Sequence, residues 1–187
     1  MKSIILFLKC FFVWCKPRGS EDLSQAQIIL TQAGSDLVDE SIGQTNRDLA
    51  RLAKKYSEQF NIPIFAQGEV ARVLDEMNVL VAVRTKPEAI PDNFGSDEYQ
   101  GTDGIVSLQK KYCDKHGFKK VIVLAFVPHI WRAKWAYEKA GFKVIIPSDL
   151  PWYVFEKQAN QRRWRRPITA YPYELKTRLE YLFKGMI

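Results

Sequence analysis

His129 and Arg132 are the residues of this chain whose types and spacing most invite chemistry. They stand three positions apart, about one helical turn, within the string KVIVLAFVPHIWRAKWAYEKAGFKVIIPS at residues 120–148. An imidazole titrates near neutrality and can give or take a proton. A guanidinium presents a planar fork of donors that matches a carboxylate or a phosphate. If a helix begins at Pro128, its N-terminus adds partial positive charge, which favours an anion and keeps His129 neutral. The plainer alternative is that Arg132 pairs with a loop carboxylate while His129 caps the helix.

The flanking residues say how such a pair would be held. Residues 121–127 are a near-continuous apolar, β-branched run, the mark of a strand buried on both faces. Pro128 ends that strand and can open a helix, where its missing N–H would be unpaired anyway. Trp131, Trp135 and Ala136 follow at helical spacing, and Gly141 sits where a left-handed C-cap is wanted. Residues 142–146 read as the next strand. Two strands joined by so short a helix should be parallel neighbours with a right-handed crossover. His129 and Arg132 then lie at the carboxyl end of a parallel strand, where open α/β sheets bind ligands.

The rest of the chain repeats this alternation. Residues 27–33 read as a first strand, followed by a polar loop, 34–45, that carries Asp36, Asp39 and Glu40. Thr45 and Asp48 form a capping-box pattern ahead of a helix with Leu49, Leu52, Ala53, Tyr56 and Phe60 on one face. Residues 62–66 form a second strand, and Gln67-Gly68-Glu69 turns directly into a helix with Val70, Val73, Leu74 and Met77. A third strand is expected over 79–83, then a long loop, 84–100, with Pro87, Pro91 and Gly95. Thr102 or Asp103 should cap the next helix, in which Ile105, Leu108, Tyr112 and Cys113 share a face. The last helix is expected to start near Pro172 and carries Leu175, Leu179, Leu182 and Phe183. Strands alternating with helices predict an α/β fold: a three-layer, doubly wound, Rossmann-like and mostly parallel sheet of about five strands.

In such a sheet all strand-to-helix turns gather at one edge. That edge would bring together Gly34 and Asp36, the turn Gln67-Gly68-Glu69, Thr102 with Asp103, His129 with Arg132, and Ser148 with Asp149. His129, Arg132 and Glu69 are the candidates for catalysis. Gly34, Asp36, Gln67, Gly68, Thr102, Asp103 and Asp149 are the candidates for ligand binding, with ordinary turn and loop chemistry as the alternative for Gly68 and Asp36. A glycine at position 68 would let a ligand approach the backbone closely. No G-x-G-x-x-G, no G-x-x-x-x-G-K-[ST] and no G-x-S-x-G occurs, which argues against a standard dinucleotide site, a P-loop and a hydrolase serine elbow. No cofactor is nominated. Cys113 and His116 are spaced for a metal, but the chain has only one other histidine, and a structural zinc normally needs four ligands; no metal site is expected.

Composition sets the frame. A chain of 187 residues with 47% hydrophobic and 26% charged residues suits one globular domain. The division is an N-terminal helix and linker over 1–25, then a single α/β domain over 26–187 with a basic C-terminal extension. The formal charge is +7; from Tyr153 onward eight Lys/Arg face three Asp/Glu, so the excess is concentrated there. The run Arg162-Arg163-Trp164-Arg165-Arg166 could meet phosphates or an anionic membrane surface, or pair with acidic loops. Three cysteines without framework spacing give no support for a disulfide scaffold. The apolar stretch 4–15 is shorter than the ~20 residues a spanning helix needs. It is expected to dock on the domain or lie against a membrane surface, with a short signal anchor as the alternative.

The segment VIVLAFVPHIWRAKWAYEKAGFKVIIPSD resembles the hallmark segment of the SanA/ElyC/YdcF-type family, a bacterial group of poorly defined function. His129, Arg132 and Ala133 match that family's His-x-x-Arg-Ala motif, and Gly141 to Ile146 match the glycine and strand that follow. AQIILTQAG looks like its opening strand and loop. FAQGE looks like its second strand and glycine turn, although the usual Ser-Gly-Gly is here Gln67-Gly68 followed by Glu69. Thr102-Asp103 corresponds only approximately to the family's Thr-x-Glu-Asn. The resemblance covers roughly residues 26–149. It implies a Rossmann-like domain with a polar pocket at the strand ends and an association with cell-envelope biogenesis, often through an N-terminal membrane anchor. The resulting expectation is a protein that binds a small anionic or nucleotide-like ligand, such as a phosphorylated envelope precursor. It would be cytoplasmic or membrane-associated through its N-terminal segment, with nucleic acid a poor partner. The alternative is a non-catalytic module docked to a membrane or nucleic acid through its basic end.

Overall fold

The computed structural model describes residues 22–39, 41–85, 101–183 and 185. The expectations for the N-terminal segment, for Glu40 and for most of the loop 84–100 lie outside these residues. Five strands, β1 (Ile28–Thr31), β2 (Ile64–Gln67), β3 (Val83–Thr85), β4 (Lys120–Leu124) and β5 (Lys143–Ile145), alternate with helices. The helices are α1 (Gln44–Phe60), α2 (Gly68–Glu76), α3 (Thr102–His116), α4 (Val127–Lys139) and α5 (Pro167–Phe183). All strand pairs are parallel, in the order β3-β2-β1-β4-β5.

β1 lies at the centre, with Ile29 registered against Ile64 of β2 and Ile122 of β4. Ile28, Ile29, Leu30 and Thr31 are fully buried, as are Val121 to Leu124 of β4. Such solid apolar runs arise because helices cover both faces of a parallel sheet. Right-handed crossovers place α1 and α2, which pack together, on one face; α3 and α4 lie on the other with α5 against α4. From β1 the chain steps outward to β2 and β3, and from β4 it steps the opposite way to β5. The strand order therefore reverses between β1 and β4, and a crevice opens where their two following loops part.

Several boundaries differ from the sequence reading. β4 ends at Leu124, so Ala125 and Phe126 make the turn and Pro128 is the second residue of α4. The third strand is Val83–Thr85, not 79–83, because Asn78 takes a left-handed conformation and Val79 N–H still bonds back to Leu74. The capping box at Thr45 does not form. α1 begins one residue earlier, after Gly43, and its first amide, Gln44, donates to Glu156 at 3.1 Å while Thr45 accepts from Val154 N–H. The cap comes from the C-terminal extension, which local sequence cannot announce. Gly101, without a side-chain cap, precedes α3 in place of Thr102 or Asp103. α5 begins at Pro167 and runs through Pro172; the ring sits within the first two turns, where the lost hydrogen bond faces the exposed Ile168. Among the described residues no helix is long and apolar enough to cross a membrane.

Candidate functional site

At the reversal point, a cleft of about 530 Å³, including its open mouth, is bordered by Gln32, Ala33 and Gly34 after β1 and by Gln67 at the end of β2. Gly101 and Thr102 at the start of α3, with Phe126, His129 and Arg132 from α4, continue the wall. The C-terminal extension closes it with Gln161, Arg163, Trp164 and Tyr173. The cleft lies at the sheet edge where the topology rule puts ligand sites, and half of the sequence-nominated residues border it.

His129 is 4% exposed, and its Nδ1 is buried with no hydrogen-bond partner among the described residues. Burial, then the charges of Arg132 and Arg178, hold its pKa well below the ordinary value, so the ring is neutral. The α4 N-terminus contributes little by direct hydrogen bonding. Val127 N–H donates to the Pro151 carbonyl, Pro128 has no N–H, and His129 N–H returns to Phe126. The first turn of this helix therefore leaves no free amide for an anion.

Arg132 is 7% exposed and its fork is already engaged. Nε and Nη2 donate to the two carboxylate oxygens of Glu174 at 3.1 and 3.0 Å, and Nη1 donates to the Thr102 hydroxyl. Burial alone would weaken its charge, but Glu174 reverses this and raises its pKa. The Tyr181 side chain also lies against the guanidinium. Glu174 is fully buried and also faces Arg178, itself fully buried, at 3.5 Å. Arg178 donates to the Pro128 carbonyl at 2.6 Å, tying α5 to the first turn of α4. Two buried guanidiniums thus share the Glu174 carboxylate beside His129. The ion pair that the plainer reading assigned to a loop acid comes from α5 instead.

Thr102 lines the cleft as expected; Asp103, one residue on, is exposed and accepts from Tyr181. Gln67 lines it too, its side-chain carbonyl accepting from Ala33 N–H at 2.8 Å. Gly34 donates its N–H to Asn46, and a Cβ there would come within 3.1 Å of Thr45 and 3.2 Å of Tyr153. Its role is to let those two side chains approach. Gly68 is the buried first residue of α2 without a left-handed backbone and does not border the cleft. Asp36 and Glu69 do not border it either. Asp36 accepts from Asn46 and Arg72 at 2.9 and 3.1 Å. Burial, with Asp36 nearby, pushes the Glu69 carboxyl up. Asp149 lies apart altogether, in a shallow hollow against α1, where it accepts from Lys55 and Tyr56.

No family model matches the chain, and no curated protein or solved structure matches it at a significant level. What the cleft can do is accordingly read from its own geometry.

The sequence reading missed Glu174, Arg178 and Tyr173 because they sit on a helix more than 40 positions from Arg132 and look like the polar positions of an amphipathic face. Gln32, Gln109 and Tyr137 were missed as well. Gln32 donates to the Tyr137 hydroxyl at 2.8 Å, which donates to Gln109, whose amide reaches the Thr31 and Phe65 carbonyls. Trp164 is 5% exposed and packs edge-on against Phe126 at 4.9 Å and against Tyr153 at 4.8 Å. Of the neighbouring arginines, Arg163 lies over the Tyr173 ring at 4.3 Å and Arg165 donates to the Ala159 carbonyl; Arg162 and Arg166 are exposed.

Proposed function

We propose that the chain is a small-ligand-binding α/β protein of the SanA/ElyC/YdcF type. It acts on or senses a nucleotide-like or phosphorylated envelope-precursor ligand at the carboxyl ends of its strands, in the cytoplasm or at a membrane held by its N-terminal segment. The observation that carries this is the cleft at the strand reversal, whose wall joins His129, 4% exposed and with no partner for its Nδ1 among the described residues, to the buried Arg132. A buried polar atom without a partner costs about 1–3 kcal/mol, and a ligand that hydrogen-bonds it recovers that cost. In this account Arg132 and Thr102 orient the anion and neutral His129 exchanges a proton with it.

The test is a thermal-shift screen of the full chain against nucleotides, S-adenosylmethionine-like compounds, and sugar or polyprenyl phosphates. A ligand that binds only the folded state raises the melting temperature in step with its concentration over its dissociation constant. At least one anionic member should raise it in the parent and not in His129→Ala. Absence of any shift in the parent across the whole screen would overturn the proposal.

A further inference from the structure

The end of the sheet opposite the cleft carries a surface of its own. We infer that this amino edge, with Lys115, Lys119, Lys120 and Lys139 beside the exposed Phe183, docks on an anionic lipid bilayer and leaves the cleft facing away from it.

The placement follows from the topology. In a parallel sheet the crossover helices run back against the strands, so helix ends and strand starts share one edge. Lys115 stands in the last turn of α3 and Lys139 in that of α4, while Lys119 and Lys120 lead into β4. The Lys119 carbonyl accepts from Lys143 N–H, which sets the start of β5 beside them. α5 borders the cleft early, through Tyr173, and ends at this far edge, where the Gly185 carbonyl accepts from Lys139. That contact brings Phe183, two residues before Gly185 and 80% exposed, to the lysines.

Three properties suit this edge to a bilayer. The first is charge. Among the described residues no carboxylate pairs with any of the four lysines: Lys120 donates to the Gln25 amide oxygen and Lys139 to a carbonyl. The neighbouring acids are engaged elsewhere, Asp114 with Lys110 and Glu138 with Lys134. Helix dipoles account for cations at Lys115 and Lys139, but not for Lys119 and Lys120 at a strand start. The second is Phe183. Lysines alone would serve a nucleic acid equally; an apolar ring among them is the pattern of a surface that rests in the headgroup layer. The third is the route of the chain. Gln27 accepts from the Lys119 and Lys120 amides at 2.8 and 3.0 Å. The chain that carries the apolar stretch 4–15 therefore enters the domain at this edge and not at the cleft. The arginine-rich run lies at the other end, with Arg163 and Trp164 on the cleft, so the two basic surfaces would turn opposite ends of the domain to a membrane.

The experiment is cosedimentation of the full chain with vesicles of phosphatidylcholine, alone or mixed in equal parts with phosphatidylserine, joined to lysine acetylation read by mass spectrometry. The chain should bind the mixed vesicles and release as salt is raised. Lys115, Lys119, Lys120 and Lys139 should be acetylated more slowly on the vesicles, while the exposed Lys157, in the C-terminal extension, stays reactive. A triple variant, Lys115→Gln, Lys119→Gln and Lys139→Gln, should bind about a hundredfold more weakly, roughly fivefold for each lysine near the surface. Neutralising Arg162 and Arg166 should leave binding unchanged. Equal binding to pure phosphatidylcholine, undiminished binding of the triple variant, protection of Lys157 in place of the four lysines, or no binding at all would each overturn the inference. Tighter binding to a DNA duplex than to mixed vesicles, lost in the same triple variant, would assign the edge to nucleic acid and overturn the bilayer as its partner. None of these outcomes bears on the ligand of the cleft, which the thermal-shift screen decides separately.

Discussion

Arg132 donates through Nε and Nη2 to both carboxylate oxygens of Glu174, 42 positions later in the chain, and both residues are buried. This bidentate pair fixes α5 against the wall of the cleft and sets the direction in which Arg132 can still donate. It also makes the C-terminal extension part of the site.

Glu174→Ala should therefore be among the most damaging single changes in the chain. It removes the carboxylate that two buried guanidiniums share, and breaking a buried pair from one side costs about 3–5 kcal/mol. Denaturant unfolding checks this. A loss under about 1 kcal/mol would mean that the pair behaves as a surface contact.

The neutral state of His129 gives the fold a dependence on pH. Its folded pKa lies well below the ordinary 6.5, so below that value the unfolded chain binds a proton that the folded chain does not. Stability is full above about 6.5 and falls as the pH drops toward the folded value. The slope should approach about 1.4 kcal/mol per pH unit. His129→Leu should lessen this slope, measured as urea midpoints at pH 7 and pH 5.5. An unchanged slope would show that His129 is not the titrating group.

Tyr137→Phe removes the hydroxyl between Gln32 and Gln109. With two buried amides each losing a partner, the cost should be about 1–3 kcal/mol, and thermal unfolding should register it without any change of fold by circular dichroism.

Gly43→Ala should cost more than Gly34→Ala. A Cβ at Gly43 would meet the Ser35 backbone carbonyl at 2.5 Å, whereas at Gly34 it meets side chains at 3.1 and 3.2 Å that can yield. Overpacking of this kind costs about 1–3 kcal/mol, and the order of the two melting temperatures is the check.

Trp164→Ala separates the two roles considered for the arginine-rich run. Since Trp164 is packed on Phe126 and Tyr153, its loss should cost about 3–5 kcal/mol. Neutralising the exposed Arg162 and Arg166 should change stability by less than about 0.5 kcal/mol and leave cleft binding intact. Steeply salt-dependent binding to anionic vesicles, lost in that double variant, would instead favour docking through the basic end.

The alternation of strands and helices was legible because each apolar run has its own period and its own Gly or Pro boundary. His129, Arg132, Thr102, Gln67 and Gly34 were legible for the same reason: a parallel sheet sends its turns to one edge. Asp36, Glu69, Asp103 and Asp149 share that edge but point elsewhere, since a one-residue step along a turn or helix end redirects a side chain. Glu174, Arg178 and Glu156 could not be read. They act on α4 and α1 from the C-terminal extension, and nothing local to either end of those contacts encodes the partner. The burial of Trp164 was not legible either, because a tryptophan among arginines looks alike in sequence whether it is exposed or packed on a neighbouring ring.

The central claim is that a ligand meets His129 in the cleft, and the chain's two histidines, His116 and His129, make it directly observable. The measurement is the ring resonances of both by NMR during titration with the tightest anionic ligand. The account predicts that the His129 signal moves with saturation while the His116 signal stays. A ligand that raises the melting temperature yet leaves His129 unmoved would contradict it.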